Sequence, residues 1–189
     1  MTRKRVAVLI SGRGSNLQAL MDARQDAYET VLVVSNVPDA SGLERARAAS
    51  VEAIALDHQP YGKNREAFER DLDALLVQRN VQIVALAGFM RMLTPFFVRA
   101  WKGRILNIHP SLLPKYPGTN THARALEAGD SEHGCTVHVV VEEVDSGEIL
   151  GQSRMPILPG DTPETLAQRL LALEHELYPR CLAEFARAR

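Results

Sequence analysis

The chain has 189 residues, 46% of them hydrophobic and 24% charged, with a formal net charge of −1. That length holds one sizeable core rather than two, and the near-zero charge excludes the global basic field of a nucleic-acid binder. No apolar run approaches the ~18 residues that span a bilayer; the basic start Thr2-Arg3-Lys4-Arg5 has no signal-peptide h-region or cleavage site of its own; and Cys135 and Cys181, far apart and without CxxC spacing, argue against a disulfide framework or a structural zinc site. One domain over residues 1–189, in a reducing cytoplasmic setting, is the expectation.

Short apolar runs alternate with amphipathic stretches. Arg5–Ile10 is rich in Val and Ile and apolar on both faces, as a central parallel strand requires, and a helix opens at Leu17. Thr30–Ser35 reads as the next strand, Leu43–Ser50 as a helix, Ala53–Leu56 as a short strand and Asn64–Asn80 as a charged helix. Val81–Ala87 is a fourth strand, Thr94–Trp101 a short helix whose Phe96, Phe97 and Trp101 belong to the core, and Arg104–Ile108 a fifth strand. This β-α-β-α rhythm predicts an α/β, Rossmann-like, mostly parallel sheet with helices on both faces.

Beyond residue 130 the rhythm changes. Thr136–Val141 and Ile149–Ile157 are separated only by a Glu/Asp/Gly turn and predict a C-terminal antiparallel hairpin. The last helix is announced by Asp161 as cap, Pro163 in the first turn and Glu164 at capping-box distance. Leu166, Leu170, Leu173 and Leu177 then recur at helical spacing as a core stripe.

Ser11-Gly12-Arg13-Gly14-Ser15-Asn16 occupies the first strand-to-helix turn, where free N–H groups and the positive dipole end face an anion. Leu17 replaces the third glycine of GxGxxG, and Ser35-Asn36 stands where a dinucleotide site carries an acid for the ribose. The loop therefore fits a phosphate monoester better than NAD. A tight turn with Gly12 and Gly14 in special conformations and Ser15 as cap is the equal alternative.

In such sheets ligands sit beyond the carboxyl ends of the strands. Asn107 and His109, two residues apart at the end of the fifth strand, project to the same side. An Asn can donate to a developing oxyanion, and a His can move protons near neutral pH. Pro110, Pro114 and Pro117 stiffen the chain behind them. Asp145, in the hairpin turn, is placed by type to orient His109 and favour its charged form. The alternatives are a satisfied buried Asn–His pair and a merely solvated acidic turn.

SGRGSNLQAL, LAGFMRMLTP, ILNIHPSLLPKYPG, HGCTVHVVVEEVDSGEILGQ and LEHELYP occur in this order, and together they resemble the phosphoribosylglycinamide formyltransferases, folate-dependent enzymes of purine synthesis. The resemblance runs from about Arg5 to Phe185. It implies the formyltransferase fold, with a phosphate-binding part over about residues 1–100 and a catalytic and folate-binding part over about 101–189. It implies Gly14, Ser15 and Asn16 on the phosphate of the ribonucleotide substrate and Glu174 on its glycinamide end. Arg65, Met90, Arg91, Met92 and Leu93, with Asn107, would hold the co-substrate 10-formyltetrahydrofolate. Asn107, His109 and Asp145 would be the catalytic set, and Leu113–Pro114 a cis bond. Asn120 stands where many relatives carry His.

The implied reaction moves a formyl group to the amine of 5-phosphoribosylglycinamide; Asn107 serves the oxygen, charged His109 serves proton transfer, and no metal is needed. Formyltetrahydrofolate deformylase, another 10-formyltetrahydrofolate-dependent formyltransferase and a non-catalytic binding module are the rivals. A His109/His138/Asp145 metal site is a further reading of the same residues. The partners implied are small molecules, without nucleic acid or membrane, on a monomer or homodimer. His138 is expected near the site as lining or packing, and His58, His122, His133 and His175 as surface or turn residues.

Overall fold

The computed structural model describes residues 3–23 and 26–189; Thr2 of the basic start lies outside the described residues. β1 (Lys4–Ile10) is fully buried from Val6 onward because it has a strand on each edge and helices on each face. Its partners are β2 (Tyr28–Ser35) and β4 (Ile83–Leu86), both parallel to it. β3 (Glu52–Ala55) and β5 (Ile105–His109) extend the parallel set. β6 (Glu132–Val139) and β7 (Ile149–Pro156) then pair antiparallel, giving the seven-stranded order β3-β2-β1-β4-β5-β6-β7.

The period of two along each strand divides the core. Val6, Val8 and Ile10 face one cluster, shared with α1 (Ser15–Asp22), α2 (Ser41–Ala48) and α6 (Pro163–Arg187). Ala7 and Leu9 face the other, with Phe68, Leu72 and Leu76 of α3 (Arg65–Gln78) and Phe97 of α4 (Pro95–Ala100). Trp101 belongs to that second cluster, as expected, and donates from Nε1 to Asp73 at 2.8 Å. Each fully buried Leu or Phe contributes about 1.5–3 kcal/mol, so both faces are held firmly.

The predicted fold class and hairpin are present, with β6 starting earlier than Thr136. One expectation is corrected and one element is added. The cap of α6 is Thr162, whose hydroxyl accepts from Thr165 N while Thr165 Oγ1 accepts from Thr162 N at 2.8 Å. Asp161 turns back instead, accepting from Leu158 N at 2.7 Å and pairing with Arg169. A further helix, α5 (Thr121–Glu127), lies in the segment between β5 and β6. It starts from Asn120 in the left-handed region, with no side-chain cap, and so lacks the signals that announce a helix.

Candidate active site

On β5, Leu106 and Ile108 belong to the α1/α2/α6 core, so Asn107 and His109 project to the opposite face, alongside Ile105. β6 alternates in step: Cys135, Val137 and Val139 enter the same core as Leu106, leaving Thr136 and His138 on the face of Asn107 and His109. The antiparallel register sets Asn107 opposite His138 and His109 opposite Thr136. Asn107 Nδ2 is 3.4 Å from His138 Nε2. Asp145 closes the group, with Oδ2 at 3.4 Å from His109 Nδ1 and Oδ1 at 3.5 Å from His138 Nε2. The three residues expected from sequence thus converge, and His138 lies among them.

Asp145 is itself held. It adopts φ 51°, and its Oδ2 accepts from the Gly118 N–H at 2.7 Å. Burial pulls its pKa upward, but the contacts from His138, the Gly118 N–H and His109 prevail and keep it below the ordinary carboxylate value. His109 is buried, and burial is the largest influence on it, lowering its pKa below that of a free imidazole; the Tyr116 carbonyl at 2.8 Å from Nε2 and the Asp145 carboxylate oppose that shift. Burial thus works against the charged form that Asp145 favours. Desolvation outweighs the carboxylate, while two acceptors stand ready for the ring when it takes a proton.

The rigid loop behind His109 is built by more than proline. Leu113–Pro114 is cis. Thr136, fully buried, donates to the Ser111 carbonyl at 2.7 Å and accepts from Leu113 N at 3.1 Å and from Gln152 Nε2 at 3.0 Å. Ser111 Oγ donates to the Lys115 carbonyl at 2.6 Å, and Thr121 Oγ1 to the Pro110 carbonyl at 2.6 Å. From α6, the buried Tyr178 hydroxyl reaches the carbonyls of Leu86, which ends β4, and Leu106, within β5 beside Asn107, at 3.0 and 3.1 Å. The cis bond is the one the resemblance implies; the hydrogen bonds of Thr136 and Tyr178 are not legible in the sequence, because each joins residues far apart along the chain. A Thr at the strand position facing His109 is the only local signal.

The first loop is glycine-built, but the tight turn differs in detail from the one expected. Gly14, not Ser15, is the N-cap of α1, in the left-handed region at φ 71°, and Gly12 has no such conformation. A Cβ on Gly14 would meet Gly42 Cα at 3.1 Å, so α2 presses directly on the loop. Asn16 Nδ2 donates to Glu174 Oε2 at 2.8 Å, linking two residues that the resemblance places on one ligand. Glu174 is buried and its pKa is raised by that burial, with Asn16 acting against it. Asn16 Oδ1 is buried without a partner, an acceptor facing no donor of the protein.

Beyond β4 the chain forms a wall. Met90 and Met92 are exposed at 79% and 62%, unusual for large apolar side chains. Arg65 Nη1 lies 3.5 Å from the Met92 carbonyl, bringing the start of α3 to this wall. Arg91 lays its guanidinium over the Phe68 ring at 4.9 Å, and its Nη2 is buried without a partner. Leu93 packs against the α3/α4 core. Asn120 is exposed and makes no side-chain cap to α5.

His133 corrects the surface expectation: it is buried in β6, its Nε2 2.9 Å from Nδ1 of half-buried His122. Burial lowers both pKa values, that of His133 to about 4. Among the described residues, no group of three or more His, Cys, Asp and Glu is arranged to hold a metal ion, and no helix is long and apolar enough to cross a membrane.

A family described as formyl transferase matches residues 4–182. The chain is 46% identical over 187 residues to the phosphoribosylglycinamide formyltransferase of Escherichia coli K12, covering 97% of this chain and 88% of that one. It is 52% identical over 189 residues to the trifunctional purine biosynthetic protein adenosine-3 of Drosophila pseudoobscura, covering 97% of this chain but only 14% of that much longer protein. The fold superimposes with a TM-score of 0.95 on the crystal structure of glycinamide ribonucleotide transformylase 1 from Symbiobacterium toebii, at 45% identity, covering 100% of this chain and 90% of that one.

Proposed function

The chain belongs to the formyl transferase family, and from that premise we propose that it transfers a formyl group from 10-formyltetrahydrofolate to the amine of 5-phosphoribosylglycinamide, a step of de novo purine biosynthesis. The amine nitrogen gains the formyl carbon and loses a proton, and the folate nitrogen loses the formyl carbon and gains one. The observation that carries the reading is the convergence of Asn107, His109, His138 and Asp145 on one face of the β5–β6 pair, at contacts of 3.4–3.5 Å.

The wall fits a folate. Exposed Met90 and Met92 offer apolar surface to an aromatic ring system, and Arg65 and the unpartnered Arg91 Nη2 offer charge to carboxylates. When bound, that co-substrate supplies the activated one-carbon unit. For the nucleotide, the N–H groups that open α1, with Gly14, Ser15 and Asn16, hold the phosphate. Glu174 and the unpartnered Asn16 Oδ1 accept from the N–H and O–H groups of the glycinamide ribose. Asn107 Nδ2 donates to the oxygen on which negative charge develops. His109, whose pKa burial lowers, takes the amine's proton and passes it to the leaving nitrogen, and Asp145 and the Tyr116 carbonyl stabilise the ring while it is charged.

No metal or covalent enzyme intermediate enters this scheme. The partners are small molecules, with no role for nucleic acid or membrane; the protein acts in the cytoplasm as a monomer or homodimer. Formyl loss from 10-formyltetrahydrofolate, followed by absorbance with and without the ribonucleotide amine, tests the proposal. Turnover that requires the amine supports it. Equal turnover without amine identifies a deformylase, and binding without turnover a non-catalytic module; either overturns it.

A further inference from the structure

The sheet changes winding direction between β1 and β4: from β1 the chain steps outward through β2 to β3, then returns to β4 on the other side. Two loops with different assignments leave the sheet side by side here. After β1 comes the loop Ser11–Gly14 that leads to the phosphate residues, and after β4 comes Ala87–Leu93, the folate wall. They are joined through Ser11. Its N–H donates to the Gly88 carbonyl at 3.2 Å, and its hydroxyl accepts from the Met90 N–H at 2.8 Å.

The proton arithmetic at that hydroxyl leaves one arrangement. Having accepted from Met90, Ser11 Oγ–H donates to Asn36 Oδ1 at 2.5 Å. Asn36 follows β2 and is buried, and its carbonyl is 2.8 Å from His58 Nδ1 and 3.3 Å from His58 N. Three strand ends therefore meet in one chain of hydrogen bonds, Met90 N–H to Ser11 O–H to Asn36 Oδ1. Met90 has 79% of its surface exposed, so apolar packing does not fix its peptide; this chain does.

We infer that Ser11 is a positioning residue that clamps the folate wall to the nucleotide loop, so that a substrate ordering one loop orders the other with it. Ser11 touches neither reacting atom. Resting on the proposed formyl transfer, this predicts that the two substrates bind with positive coupling and that the Ser11 hydroxyl transmits it. Coupling of this kind is reciprocal, so the same factor appears whichever ligand is titrated.

Two measurements test it on the full chain. The first needs no ligand: amide hydrogen exchange at Met90, followed by NMR, is expected to quicken by about tenfold in Ser11→Ala, the worth of roughly one hydrogen bond, and to return toward the parental rate in Ser11→Thr. Unchanged exchange in Ser11→Ala, or Ser11→Thr as fast as Ser11→Ala, overturns the clamp whatever the protein's activity. The second is titration calorimetry with 5,8-dideazafolate, with and without saturating phosphoribosylglycinamide. The parent should bind the folate analogue more tightly with the ribonucleotide present. Ser11→Ala should lose about five- to tenfold in folate affinity and most of the coupling, and Ser11→Thr should recover both. A parent that binds the two ligands independently, or an alanine variant with undiminished coupling, overturns the inference. A parent that binds neither ligand overturns the proposed function and the coupling with it, while the exchange result still decides the clamp.

Discussion

Replacing Asp145 by Asn removes one negative charge while nearly preserving shape. The variant keeps an amide oxygen for the Gly118 N–H, which now donates to Asp145 Oδ2 at 2.7 Å, so the fold should survive with a stability change within about 1–2 kcal/mol. The electrostatic change is larger. A carboxylate 3.4 Å from His109 Nδ1 is the kind of neighbour that moves a pKa by about 1–3, or about 1.4–4 kcal/mol of preference for the charged ring. Burial already depresses the His109 pKa, and Asp145 opposes that depression. Its loss should carry the His109 limb of the kcat/KM profile to lower pH by about that much, and should cut turnover by roughly 10²–10⁴ because the proton-bearing ring loses its stabiliser. Initial rates followed from about pH 5 to 9 and urea unfolding of the same preparations would measure both. A variant that folds, turns over near the parental rate and keeps the parental limb would refute the role given to Asp145.

Asn107→Ala should lower kcat by about 10²–10³ with little change in either KM, as expected for a donor that acts mainly as charge develops; a rise in KM at constant kcat would point to ground-state binding. Glu174→Gln keeps an acceptor for Asn16 but replaces the carboxyl group, and should raise the ribonucleotide KM by about tenfold while leaving the folate KM alone. Equal changes in both constants would detach Glu174 from the nucleotide. His133→Gln tests the buried imidazole. Its pKa in the folded protein is about 4, below the ordinary value, so stability is intact above the unfolded value near 6.5 and falls as pH drops toward 4. Over that window the parent should lose about 3 kcal/mol on account of this group. The variant should lose that much less in urea titrations, and identical acid profiles would show that His133 is not the group responsible.

The sequence was most informative where side-chain type and strand period act together. Asn107 and His109 share a face because residues two apart in a strand must, and the Val/Ile run of β1 announces burial on both sides. The phosphate loop was readable as a glycine-rich strand-to-helix turn, but not that Gly14 takes the left-handed conformation, nor that Gly42 of another helix packs against it. α5 was invisible because its start is a left-handed Asn rather than a side-chain cap. The supports around His109 were unreadable for a different reason. Thr136, Gln152 and Tyr178 are common residue types whose partners lie 16–92 positions away, and nothing local marks which hydroxyl or amide will be buried.

The reversal of strand direction at β6 explains why the reacting groups come from three segments and still meet. A parallel neighbour of β5 would run out of the sheet at the same edge and offer chiefly the loop beyond its end. Antiparallel β6 instead lies back along β5, so that Thr136 and His138 stand level with His109 and Asn107, on the same face. The long turn after β6 completes the set by folding back over that face. Gly147 permits this, since a Cβ there would lie 1.8 Å from the Val139 carbonyl oxygen, inside any tolerable contact. Arg99 of α4 holds the start of the same turn through Glu142 at 2.7 Å. With Asp145 then fixed by the Gly118 N–H from the proline-stiffened loop, the carboxylate is located by two independent segments before any substrate arrives. It therefore needs little reorganisation when His109 takes its proton.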